Sequence, residues 1–156
     1  MKGTKDHVVV EGGGLPLGLA ISGAEVHDQQ VALATLDSIR VPRPHGGRPR
    51  RRPRGLAADK GYDGQAVRQG LRQRRIRASI PERRYAHRRK RGRKPLSDVV
   101  LSGGRWVVER SHAWFASFRR LRVRDEKTSV MHQAFQTVAA MFMCLRRLLS
   151  PLPVTS

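Results

Sequence analysis

Two arginine-rich stretches, residues 43–54 (RPHGGRPRRRPR) and 83–94 (RRYAHRRKRGRK), constrain this chain more than any other feature, because they confine its apolar residues to short runs around them. Neither stretch has apolar periodicity, and the first is broken by Pro and Gly, so both read as loops. Among 156 residues, 32 are Lys or Arg and 12 are Asp or Glu, a formal charge of +20, and only six of the bases are Lys. The excess is therefore arginine, whose planar fork grips phosphate oxygens in pairs. It lies downstream: residues 1–40 hold three bases and five acids, and the remainder holds 29 bases and seven acids. A polyanion is the expected partner, with Arg50, Arg51 and Arg52 in the first loop and Arg88, Arg89, Lys90 and Arg91 in the second as expected DNA contacts. An arginine-rich chain that merely fills solvated loops would look the same.

Cys144 is alone, so no internal disulfide can form, and no His or Cys pair has zinc-ligand spacing. The longest apolar run, residues 138–145, is too short to cross a bilayer, and no leader opens the chain. The expectation is a cytoplasmic, nucleoid-associated protein of one domain, residues 1–150, with a tail at 151–156.

Between the loops the pattern is α/β. Residues 7–11 (HVVVE) and 17–21 face each other across Gly12, Gly13 and Gly14, which predicts a hairpin. The triple glycine lacks the Lys and helix of a phosphate-binding loop. Val31, Leu33, Leu36 and Ile39 predict a helix over 29–39 capped by Asp28. GLAA at 55–58 predicts a short buried strand, Asp63 caps a helix over 64–74, and 76–80 is a strand ended by Pro81. Two helices follow, over 105–118 with Val107, Trp114 and Phe118 inward and over 131–149. In the second, Met131, Phe135, Val138, Phe142, Leu145 and Leu149 step by four and three and predict the core-facing seam, with Cys144 buried and inert. Trp106 and Trp114 are expected in the core.

Two acids stand out. Asp59 falls at the C-terminal end of the predicted 55–58 strand, the edge where open α/β sheets bind ligands. Glu109 shares a helix face with Arg105 and His112. A carboxylate on a strand end facing one on a helix suits a pair of Mg²⁺ ions, which take oxygen ligands and leave positions open for phosphate. The residues also read as a turn Asp and as a surface Glu109–Arg105 pair. Tyr62 is placed to stack on a splayed base or to pack under the Asp59 turn, and Lys60 to touch phosphate.

ADKGYD (58–63), followed by RWVVERSHAWFASFRRLRVRDEK (105–127) and preceded by KGTKDHVVVEGGGLPLGLAISGAEVHD (2–28), strongly resembles DDE transposases of bacterial insertion sequences, specifically the IS-five family. The likeness extends over nearly the whole chain. It implies an RNase H-like fold in which two Asp and one Glu hold two Mg²⁺ (or Mn²⁺), with Asp59 as the second Asp and Glu109 as the Glu. It also implies DNA transposition: cutting insertion-sequence ends and joining them to target DNA. Arg105 matches the Arg of the family's C-terminal signature. The signature's Tyr position is Ser102 and its Lys position is Ala116; Arg119 and Arg120 are placed to compensate as DNA contacts.

The family's first Asp lies on a central strand upstream of the block that begins here at Lys2. The resemblance thus implies an incomplete RNase H-like α/β fold lacking that strand, with open backbone edges on the hairpin and the Asp59 strand. The expected partners are DNA and an upstream frame product or another transposase chain. A non-enzymatic basic nucleic-acid-binding protein is the rival reading. It accounts for the charge but not for acids set among arginines.

Overall fold

The computed structural model of the chain describes residues 3–82, 97–123 and 126–150, with the side chains of 97–105 excepted. Residues 151–156 and the second basic stretch, with Arg88, Arg89, Lys90 and Arg91, lie outside the described residues. No helix among the described residues is long and apolar enough to cross a membrane.

Strands β1 (Thr4–Val10) and β2 (Pro16–Gly23) form the expected antiparallel hairpin, with β1 starting earlier and ending one residue sooner than expected and β2 longer at both ends. Its turn requires Gly14, whose φ of 90° lies in the left-handed region. Helix α1 (Asp28–Asp37) follows, with His27 at the cap position and no side-chain cap bond. The expected Asp28 cap is thus corrected: Asp28 begins the helix and takes the Lys5 ammonium at 3.1 Å instead. Residues 41–50 close as a loop through two backbone bonds between Val41 and Arg50, of 2.9 and 2.8 Å. Strand β3 (Gly55–Ala57) and strand β4 (Arg77–Ser79) then pair in parallel around helix α2 (Gln65–Gln73). Gly64, not Asp63, occupies the α2 cap position, and Asp63 binds Arg68 at 2.7 Å. Helices α3 (Ser97–Ala116), α4 (Arg119–Arg122) and α5 (Ser129–Leu149) complete the order.

Among the described residues the architecture is mixed α/β with two two-stranded sheets, β1–β2 and β3–β4. The hairpin feeds two cores, and its register shifts between Val9 and Val10, next to the turn, so simple alternation does not hold along its whole length. Val9 and Leu17 pack with Leu36 and Ile39 of α1, Val67 and Leu71 of α2, and Ile76 and Ile80. Val8 and Leu19 pack with Phe115 of α3 and Ala139, Ala140 and Met143 of α5. The hairpin is thereby sandwiched between α1–α2 and α3–α5.

Three burial expectations are corrected. Strand β3 is not buried, since Gly55 and Ala57 are exposed along its unpaired edge. On α3 the inward aromatic is Phe115, while Trp106 and Trp114 are 52% and 38% exposed. On α5 the large-apolar seam faces outward, with Val138 47%, Leu145 49% and Leu149 73% exposed. The buried stripe is His132, Gln136, Ala139, Ala140 and Met143. Its side chains are smaller or polar and let the helix lie close to β2. Cys144 is half-buried, and burial pushes its thiol above the ordinary value, which keeps it protonated.

Candidate functional site

Asp59 leaves β3 into a single 3-10 turn, Lys60–Tyr62, where its Oδ1 accepts the Lys60 N–H at 2.6 Å and its carbonyl accepts the Tyr62 N–H at 2.9 Å. The turn is tied to α1 by Gln29, whose Nε2 donates to Gly61 O at 2.9 Å. Asp59 is thus the capping residue of this turn, two residues beyond the end of β3. Tyr62 packs against the first core, and burial, aided by the Asp28 and Asp59 carboxylates, holds its hydroxyl above the ordinary value. Lys60 is exposed on the same turn.

Glu109 is placed from the other side. Two side chains next to it on α3 latch the hairpin turn: Arg110 Nη2 donates to Gly13 O at 2.6 Å, and the fully buried Ser111 hydroxyl lies 2.7 Å from Gly14 O. The Arg110 guanidinium lies over the rings of Trp106 and Trp114, at 4.4 and 4.9 Å from their centroids. These contacts fix the roll of α3 and turn Val108, Glu109 and His112 to a cleft of about 470 Å³.

The same cleft is walled by Asp59, Tyr62, β1 and β3. Two acids 50 positions apart in sequence therefore meet on one concavity. Asp6 also borders it, but its Oδ1 is 3.2 Å from His132 Nε2. Among the described residues no three His, Cys, Asp or Glu side chains are grouped to hold a metal ion. Carboxylate oxygens such as those of Asp59 and Glu109 are hard donors of the kind Mg²⁺ and Mn²⁺ take.

The basic residues fall into distinct settings. Arg50, Arg51 and Arg52 line a second concavity of about 580 Å³ with Arg43 and Arg48, two arginines that sequence reasoning had not singled out. Their signal was membership of one Pro- and Gly-punctuated run. Arg52 also donates to Arg74 O at 3.0 Å. Arg119 is exposed on α4. Arg120 bonds Glu126 at 2.9 Å and lies over Phe135 at 5.3 Å, so its guanidinium is already engaged in joining α4 to α5. The backbone of Arg105 lies within α3; its side chain is outside the described residues.

Comparison with known proteins adds to this geometry. The family described as "Transposase DDE domain" matches residues 1–144. A putative transposase for insertion sequence element IS402 from Burkholderia cepacia is 39% identical over 142 residues, which are 91% of this chain and 63% of that protein. No solved structure matches the chain significantly. The chain thus spans under two thirds of the curated relative's length, yet the family match runs from the hairpin through most of α5, and on that extent it belongs to the DDE-domain transposases.

Proposed function

We propose that this chain is the downstream part of the catalytic domain of a DDE transposase of the IS-five type, acting on insertion-sequence ends in the nucleoid and incomplete by itself. The observation that carries the reading is the convergence of Asp59 and Glu109 on one cleft from a strand end and a helix. Both would hold Mg²⁺ or Mn²⁺, whose charge would offset the repulsion between carboxylate and phosphate. Such ions, when bound, lower the pKa of an attacking hydroxyl and stabilise the leaving oxygen in phosphodiester cleavage and joining. His112, on the Glu109 face, borders the same opening and is placed to exchange a proton there. Arg50, Arg51 and Arg52 would hold the DNA backbone, with Lys60, Arg105 and Arg119 as further contacts, while Arg120 is held by Glu126. The missing ligand and sheet strand would come from an upstream frame product or another transposase chain.

Titrating Mn²⁺ into the protein and its Asp59→Asn and Glu109→Gln variants tests the reading. Each substitution should weaken Mn²⁺ binding by roughly tenfold or more, about 1.4 kcal/mol. Unchanged Mn²⁺ binding together with tighter DNA binding would instead establish the rival, a basic nucleic-acid-binding protein without chemistry.

A further inference from the structure

Helix α5 carries two stripes, and the described residues bury only one of them. The inner stripe seats against β2. The outer one, Met131, Phe135, Val138, Phe142, Leu145 and Leu149, is exposed except at Phe135, which is half-buried beneath the Arg120 guanidinium. It steps by four and three residues from end to end. Apolar side chains that recur about every 3.5 positions are the ones a second helix can interlock with, each fitting the gap between four of its neighbour's.

Charge and order along the stripe narrow the partner. From Ser129 to Leu145 the helix holds no Lys, Arg, Asp or Glu, in a chain of formal charge +20. A nucleic-acid backbone or an acidic segment would find no cation on this strip before Arg146 and Arg147. Two copies of the chain, which repel through their net charge, can meet there. The stripe also reads the same when reversed: Met131 then faces Leu149, Phe135 faces Leu145, and the small Val138 faces the large Phe142. A patch that matches itself end for end is what a two-fold interface requires. Beside Phe142 a hollow of about 520 Å³ opens, with Trp114, Phe118 and Met143 in its wall. At the opposite end of the helix Val130 and Met131 stand exposed. Each copy therefore offers a projection and a recess.

We infer that two copies of this chain pair antiparallel along the outer face of α5, with Val130 and Met131 of each copy reaching the hollow beside Phe142 of the other. The sense of pairing follows from charge. A parallel pair would bring Arg146 and Arg147 of both copies to one end, whereas reversal separates them by most of a helix of 21 residues, about 31 Å at 1.5 Å per residue. Arg119 and Arg122 belong to α4, which Arg120 joins to the other end of α5, so some repulsion remains. The pair is accordingly transient and separates on dilution. No acid of the cleft takes part, and the inference is independent of the proposed function.

Sedimentation equilibrium of the full chain, freed of nucleic acid by nuclease, is the test. The mass should climb with concentration from 17.6 kDa toward twice that value and stop there. Raising the salt should tighten the pair, because salt screens the repulsion between copies and leaves the apolar contact intact. Association through residual nucleic acid would weaken instead. Val138→Glu lowers the net charge of each copy, which favours unspecific association, yet it should weaken this pair about tenfold or more by setting two carboxylates in the seam. Gln73→Glu makes the same change of charge at an exposed position on α2 and should leave the pair unaltered. Leu145→Gln, which spares the fold, should weaken the pair too, so a misfolded Val138→Glu would not decide the matter. For the sense of pairing, Met131→Cys and Leu149→Cys are each placed in a Cys144→Ser chain and oxidised together. Links should join the two different variants and not two copies of one, since like positions lie about 27 Å apart along an antiparallel pair at 1.5 Å per residue. A mass fixed at 17.6 kDa, growth beyond the dimer, a dimer indifferent to both seam variants, one that dissociates as salt rises, or links between like positions would each overturn the inference.

Discussion

Arg68 shows how much one side chain can hold in place. Its Nε meets Asp63 Oδ1 at 2.7 Å and its Nη2 donates to Ile80 O at 2.9 Å, fastening the turn after Asp59 to the end of β4. The Asp63 side chain is only 9% exposed, so water replaces little of the lost interaction. Arg68→Ala should cost about 1–3 kcal/mol in urea unfolding. His7 offers a second residue-scale test. Burial holds its pKa below 6.5, and its Nε2 lies 2.8 Å from Ser22 Oγ. With the folded value below the unfolded one, the unfolded chain binds the extra proton. The stability His7 contributes is complete above pH 6.5 and declines as pH falls through the folded value. The melting temperature should drop between pH 7 and 5, and His7→Gln should flatten that slope. At this scale Asp59 and Glu109 were legible because an acid among arginines needs a reason. Arg110 was not, because its role as a latch depends on Gly13, 97 positions away.

At the scale of elements, the hairpin, the strands at 55–57 and 77–79 and the helices α1, α2, α3 and α5 could be read from runs and breakers, since those signals are local; the start of α3 at Ser97 and the short α4 were not expected. What could not be read was which stripe of α5 faces in. His132, Gln136, Ala139 and Met143 repeat at the same four-three spacing as the bulky seam, and periodicity does not rank the two. Close approach to β2 does, and it favours the smaller side chains. Met143→Ala should therefore cost about 2–5 kcal/mol, whereas Leu145→Gln should change stability by under about 0.5 kcal/mol. The hairpin–α1 contact is equally tight. A Cβ at Gly18 would sit 2.7 Å from Thr35 O and 2.8 Å from Ser38 Oγ. Gly18→Ala should shift α1 off β2 and destabilise the chain by about 1–3 kcal/mol, measurable as a lower denaturation midpoint.

Across the whole molecule, charge and shape are divided. The acids line the cleft, while the arginines of the 41–50 loop and its continuation form their own concavity. Binding to duplex DNA should therefore depend steeply on salt. Replacing Arg50, Arg51 and Arg52 by Ala should lower the slope of log K against log salt by about 0.9 for each phosphate contact removed. Charge asymmetry was visible in composition; the open edges on the hairpin and on the Asp59 strand were expected from the resemblance to the family and not from composition, which carries no information about pairing.

The Arg110 sandwich has an optical consequence. Trp106 and Trp114 are the chain's two tryptophans, and both face the cation that grips the hairpin turn. Intrinsic emission from this protein therefore reports one locus, the seating of the turn on α3. Any event that lifts the turn alters the surroundings of both indoles at once, so a fluorometer alone can follow it.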